Sequence, residues 1–144
     1  MGAPRADRGP PACPGRVVLF GSGEIAPAGR RGHAAAMAGF PPPVRVAVLE
    51  TPAGFELNSA RVAGRVAAFL RERLGEFRPQ VLVIPARRRG TPHSPDDPYL
   101  VAPLLEADYI FMGPGSPTYA IRQLEGSVAW RYLVARHRQG ASLG

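Results

Sequence analysis

YIFMGPGSPTYAI, residues 109–121, is the stretch on which the reading of the fold turns. Residues 109–112 are a short apolar run with the aromatic and branched composition of a buried strand. Gly113-Pro114-Gly115 breaks that run, and Ser116-Pro117 then pairs a good helix cap with a residue preset for the first helical turn. Strand, tight loop and helix in that order make one βα unit, and repeated βα units build a parallel sheet covered by helices.

Working outward, three further apolar runs precede it: RVVLF at 16–20, VRVAVLE at 44–50 and QVLVI at 80–84. All three read as buried strands. Val62, Val66, Phe69, Leu70 and Leu74 share one helical face, with Asn58 or Ser59 to cap the start and Gly75 to close the end. HAAAMAG at 33–39 predicts a helix stopped by Pro41-Pro42-Pro43. Ser94-Pro95 or Asp97-Pro98 opens a short helix toward Leu105 that Pro103 interrupts, and Ser127 opens a last one toward Gly140. Trp130, Leu133, Val134 and His137 share a face of that last helix. The predicted fold is α/β: a flavodoxin-like or Rossmann-like three-layer sandwich with a mostly parallel sheet.

A chain of 144 residues, 45% hydrophobic and 20% charged, fits one folded domain. Residues 1–15 hold Pro, Gly, Ala and charge without periodicity and are expected to be a disordered tail, leaving 16–144 as the domain. The net charge of +7 comes entirely from arginines, scattered along the chain with one block at Arg87-Arg88-Arg89. No aromatic-interleaved stripe or reader motif accompanies them, so no nucleic-acid partner is expected and the block reads as a solvated loop. No apolar run approaches the ~18 residues of a membrane span and the start lacks a signal-peptide core, which predicts a cytoplasmic protein without a membrane partner. The single Cys13 excludes an internal disulfide and a multi-cysteine metal site.

In such folds sites form at the carboxyl ends of the strands. After the first run, Gly21-Ser22-Gly23-Glu24-Ile25-Ala26 fits G-x-G-x-x-A, and Glu50 ends the second run where a dinucleotide site places its ribose-binding acid. A Rossmann-like dinucleotide-binding domain is therefore one reading, against which Pro27 and Gly29 argue that the loop continues past Ala26. After the last run, the N–H groups of Gly115 and Ser116 stand at a positive helix end, suited to an anionic centre or simply to a turn. His33 and His137 read as packed or solvated, and His93 with Asp96 and Asp97 as a capped turn, so no metal or cofactor is expected.

With FGSGE at 20–24, LETPAG at 49–54, Ala107-Asp108 and the Gly113-Pro114-Gly115 loop in this order, residues 16–144 resemble the class I glutamine amidotransferase-like superfamily. Among its branches the order is similar to that of the cyanophycinases and alpha-aspartyl dipeptidases. The resemblance implies a serine or cysteine hydrolase that attacks an amide carbonyl of a small-molecule or peptide substrate. It implies Gly115 as an oxyanion N–H, with Gly21, Gly23, Glu24, Gly113 and Ser116 around the substrate. Pro114 departs from the family's Gly-Gly-Asn form and removes one donor.

The family's nucleophile stands on an elbow after the next strand, which the resemblance puts two or three residues past Gly144. A rival register takes Gly140-Ala141-Ser142-Leu143-Gly144 as G-x-S-x-G and makes Ser142 the nucleophile, although no strand is expected before it and no triad follows. The chain is thus expected to be the N-terminal portion of such a hydrolase, without a complete triad and with a sheet incomplete at its C-terminal end. A non-catalytic truncated interaction domain is the remaining reading. Either way, an exposed sheet edge beside 109–112 predicts self-association.

Overall fold

The computed structural model describes residues 13–144, so the tail expected over 1–15 lies mostly outside the described residues. Its last residue, Gly15, donates its N–H to the His137 carbonyl at 3.0 Å. The sheet has four strands, β1 (Arg45–Leu49), β2 (Gln80–Ile84), β3 (Tyr109–Met112) and β4 (Ser142–Leu143), all parallel in the order β2-β1-β3-β4. Helices α1 (Pro27–Met37) and α2 (Ser59–Arg73) close one face; α3 (Pro98–Val101), α4 (Pro117–Leu124) and α5 (Val128–Arg138) lie along the rest of the chain. The result is the expected α/β flavodoxin-like arrangement, with one core on each side of the sheet.

The two cores follow the strand alternation. Val46, Val48, Tyr109 and Phe111 point to the α1/α2 side, where Met37, Val66, Leu70 and Leu74 meet them. Leu49, Ile84 and Ile110 point the other way, against Val101, Leu104, Leu124 and Leu133. Burying a side chain such as Leu70 contributes roughly 1.5–3 kcal/mol.

Several elements differ from the sequence reading. Residues 16–20 are not a buried strand: Val17 makes a single parallel bridge to Leu143, and Val17 and Leu19 are exposed while Val18 and Phe20 pack inward. The segment lies at the sheet's edge, so only one of its faces is covered. β2 is the opposite edge, with Leu82 half exposed. β3 is no edge at all, because 142–144 pair with it through Gly144 N–H to Ile110 O and Met112 N–H to Gly144 O, both at 3.0 Å. That short strand escaped the sequence reading because four residues carry no usable periodicity.

Helix boundaries follow local chemistry. α1 opens six residues before the predicted 33–39 window, at Pro27, whose missing N–H costs nothing in the first turn. Ser116 and Ser127 cap α4 and α5 as expected, accepting from the Tyr119 and Trp130 N–H groups. Asp97 caps α3, which gives way at Pro103 to a 3-10 turn over Ala102–Glu106. α2 ends at Arg73 with Leu74, not Gly75, as its C-cap, and Gly75 instead starts a 3-10 turn.

Candidate active site

The carboxyl ends of β3 and β4 and segment 16–20 border a cleft of about 530 Å³. Gly21 and Glu24 line it from one side, Gly113 and Gly115 from the other, and Leu143 and Gly144 enter between them. Four sequence-predicted site residues are therefore brought together. Gly23, Ser116 and Ser142 do not line this cleft.

The Gly113–Pro117 loop is held by a support the sequence reading missed. Thr51–Ala53 form a 3-10 turn directly after β1, and the Ser116 N–H donates to the Pro52 carbonyl at 2.9 Å. A Cβ on Gly115, which sits at φ +154°, would overlap that same carbonyl, so only glycine lets the loop settle on the turn. The expected pair of donors is thus reduced. Ser116 N–H is spent on Pro52, whereas the Gly113 and Gly115 N–H groups have no acceptor among the described residues.

The supporting turn is itself anchored by polar contacts. Thr51 Oγ1 donates to Ala86 O at 2.6 Å, and Glu50, nearly fully buried, accepts from Arg87 Nε at 2.6 Å and Ser59 Oγ at 3.2 Å. Tyr119 on α4 closes the ring with a bond to Arg87 O at 2.7 Å. Arg87 and Arg89 are therefore structural rather than a solvated block: Arg89 pairs with Asp96 and reaches the Glu125 carbonyl.

The opposite wall is tied to the core through His33. The Glu24 carbonyl can only accept, so His33 Nε2 carries the proton that bridges their 2.8 Å separation. Nδ1 is then the acceptor for the Tyr109 hydroxyl at 2.9 Å. Burial holds the His33 pKa below its ordinary value against the opposing pull of the Glu24 carbonyl, and burial pushes the Tyr109 phenol up. His33 is packed, as read from sequence, but as the strut of the Glu24 loop. A Cβ on Gly29 would overlap the Gly23 and Glu24 carbonyls, which is why the loop can fold back over α1.

Ser142 is buried at the start of β4, opposite Tyr109, with its N–H on the Asp108 carbonyl. A nucleophile elbow needs a strand ending where the side chain emerges; at Ser142 the strand begins. Asp108 lies at the far end of the sheet, accepting from the Arg45 N–H at 2.9 Å and facing Arg136 at 3.6 Å, so the Ala107-Asp108 pair anchors strands and α5 there. Segment 16–18 and β1 are separated by β3 and β4, so Glu50 does not stand beside the Gly21–Ala26 loop as a dinucleotide site requires. Among the described residues no three His, Cys, Asp or Glu side chains are grouped to hold a metal, and no helix is long and apolar enough to cross a membrane.

No protein-family model and no curated protein matches the chain. A solved structure does: the crystal structure of a peptidase from an acI-B1 Actinobacterium matches 92% of this chain with a TM-score of 0.73 at 23% identity. The matched part is 54% of that peptidase's chain, so this chain spans about half its length. What the two share is the fold, and the fold of this chain is that of a flavodoxin-like α/β domain also found in a peptidase.

Proposed function

We propose that the chain is the N-terminal portion of a cytoplasmic serine or cysteine amide hydrolase of the amidotransferase-like type, nearest the cyanophycinase and dipeptidase branch. The observation that carries this reading is Gly115: it lines the strand-end cleft, its N–H has no acceptor among the described residues, and it precedes the capped N-terminus of α4. A carbonyl oxygen gaining negative charge during nucleophilic attack is stabilised by such a donor and by the positive helix end. The Pro52 contact holds the loop in place before substrate arrives, so little reorganisation accompanies the reaction.

The strand register supports a nucleophile just past Gly144. Ser142 and Leu143 pair one-to-one with Tyr109 and Ile110, so a continued β4 would run level with Met112 at the first position past Gly144. The next residue would rise beside Gly113 and Gly115, at the elbow the family resemblance implies. The lone cysteine fits a reducing compartment, and with no aromatic-interleaved basic stripe or reader motif beside the arginines no nucleic-acid partner belongs to this reading.

The test is to express the reading frame continued past codon 144 and to assay amide hydrolysis and labelling by serine- and cysteine-directed reagents. Hydrolysis and labelling within a few residues past Gly144 are expected. Replacing Gly115 by glycolic acid through semisynthesis removes its N–H alone and should lower kcat by about 10²–10³. A frame that closes at codon 144, or labelling of the 144-residue chain that vanishes in Ser142→Ala, would overturn the proposal.

A further inference from the structure

We infer that Tyr119 is a positioning residue for the Gly115 N–H: its hydroxyl keeps the Gly113–Pro117 loop where that N–H can meet a reacting carbonyl oxygen. The inference rests on the hydrolase reading above and adds to that same site a residue that does not itself line the cleft.

A donor to a developing oxyanion is effective when it is in place before the charge forms. Gly115 cannot hold itself there: it has no side chain to pack, it is exposed, and its N–H has no acceptor among the described residues. Its position comes from the next residue, Ser116, which is held twice. The Ser116 N–H donates to Pro52 O at 2.9 Å, and Ser116 Oγ accepts from the Tyr119 N–H at 3.2 Å. The first contact ties the loop to the turn after β1 and the second ties it to α4. Gly115 therefore stays in place only while that turn and that helix keep their spacing.

The Tyr119 side chain sets the spacing. Its hydroxyl donates to Arg87 O at 2.7 Å, and a Cβ on Gly54, just past the turn, would overlap the same carbonyl. One carbonyl thus touches both the turn and the helix. The Phe55 ring meets Tyr119 edge-on, with centroids 5.2 Å apart. Arg87 is itself fixed, because its N–H donates to His93 O at 2.7 Å and its Nε to the buried Glu50 at 2.6 Å. Turn, Arg87, Tyr119 and Ser116 close a ring of contacts around the loop, and loss of one phenol oxygen opens it.

Tyr119→Phe removes that oxygen and keeps the aromatic ring beside Phe55. In the 144-residue chain the amide order parameter of Gly115, measured by NMR relaxation, should fall from the rigid-backbone value of about 0.85 to below about 0.6. Two controls should leave Gly115 rigid: Val66→Ala, which truncates the core on the α2 side, and Tyr99→Phe, which alters an exposed tyrosine on α3. In the continued chain Tyr119→Phe should lower kcat about ten- to a hundredfold with KM unchanged, because the N–H it displaces acts in the transition state. A Gly115 as rigid in Tyr119→Phe as in the parent, equal loosening by Val66→Ala, or a raised KM at unchanged kcat overturns the inference. The order parameter needs no nucleophile, so the two readings fail separately. A loosened Gly115 in a continued chain that hydrolyses nothing overturns the hydrolase and keeps the linkage; hydrolysis with a Gly115 indifferent to Tyr119→Phe does the reverse.

Discussion

His33 is closed on both ring nitrogens, and its role can be read through pH. Its folded pKa lies below the ordinary 6.5, so between the two values the unfolded chain takes up a proton that the folded chain does not. The stabilisation is complete above pH 6.5 and is lost as pH falls toward the folded value. Urea unfolding across pH 7.5 to 5 should show that decline, and His33→Phe should flatten it. The same substitution leaves the buried Tyr109 hydroxyl without its acceptor, a cost of about 1–3 kcal/mol, part of which Tyr109→Phe should restore in the double variant. Gly115 and Gly113 make a second pair at this scale. Gly115→Ala must push the loop off Pro52 and should cost about 1–3 kcal/mol, whereas Gly113→Ala meets open space and should stay within about 0.5 kcal/mol. Equal stabilities of the two variants in denaturant melts would show that the Pro52 contact does not hold the loop.

Between elements, the junction of β1, its following turn and α4 depends on one buried carboxylate. Arg87→Ala strands Glu50 beneath the turn, and since the arginine is itself 30% exposed the loss should fall below the ~3–5 kcal/mol of a fully buried pair. Because Tyr119 is tied to the Arg87 carbonyl, α4 amides should show faster hydrogen exchange in that variant than α2 amides. Strand order makes a further prediction: with β3 and β4 between segment 16–18 and β1, calorimetry should detect no NAD binding. Micromolar binding that disappears in Glu50→Ala would restore the dinucleotide reading.

For the whole molecule, both edges of the sheet carry exposed apolar groups. Leu82 lies on β2, where Arg71 already covers the Val81 carbonyl, and Leu19 lies beyond β4 with 89% of its surface exposed. Among the described residues the 16–20 side has no such contact, which makes it the stronger candidate for association. Light scattering should show mass rising with concentration, and Leu19→Lys should suppress the rise more than Leu82→Lys. A monomer at all concentrations removes self-association from this chain's behaviour.

The sequence by itself determined what local periodicity and capping can encode. YIFM followed by Gly-Pro-Gly and Ser-Pro specified a strand, a loop and a helix start, and Val66, Leu70 and Leu74 specified the buried stripe of α2. Gly21, Glu24, Gly113 and Gly115 were legible as residues of loops at strand ends, because parallel sheets place loops at their carboxyl ends, and the structure sets them around one cleft. Tertiary structure alone decided which strands became edges, since a run such as RVVLF reads alike with one neighbour or two. It alone turned 142–144 into the neighbour of β3, because pairing partners distant in sequence leave no periodic mark on either segment. It also spent the Ser116 N–H on Pro52 and joined Glu50 to Arg87. Those contacts depend on the register and stacking of whole elements, and no window of sequence contains both partners.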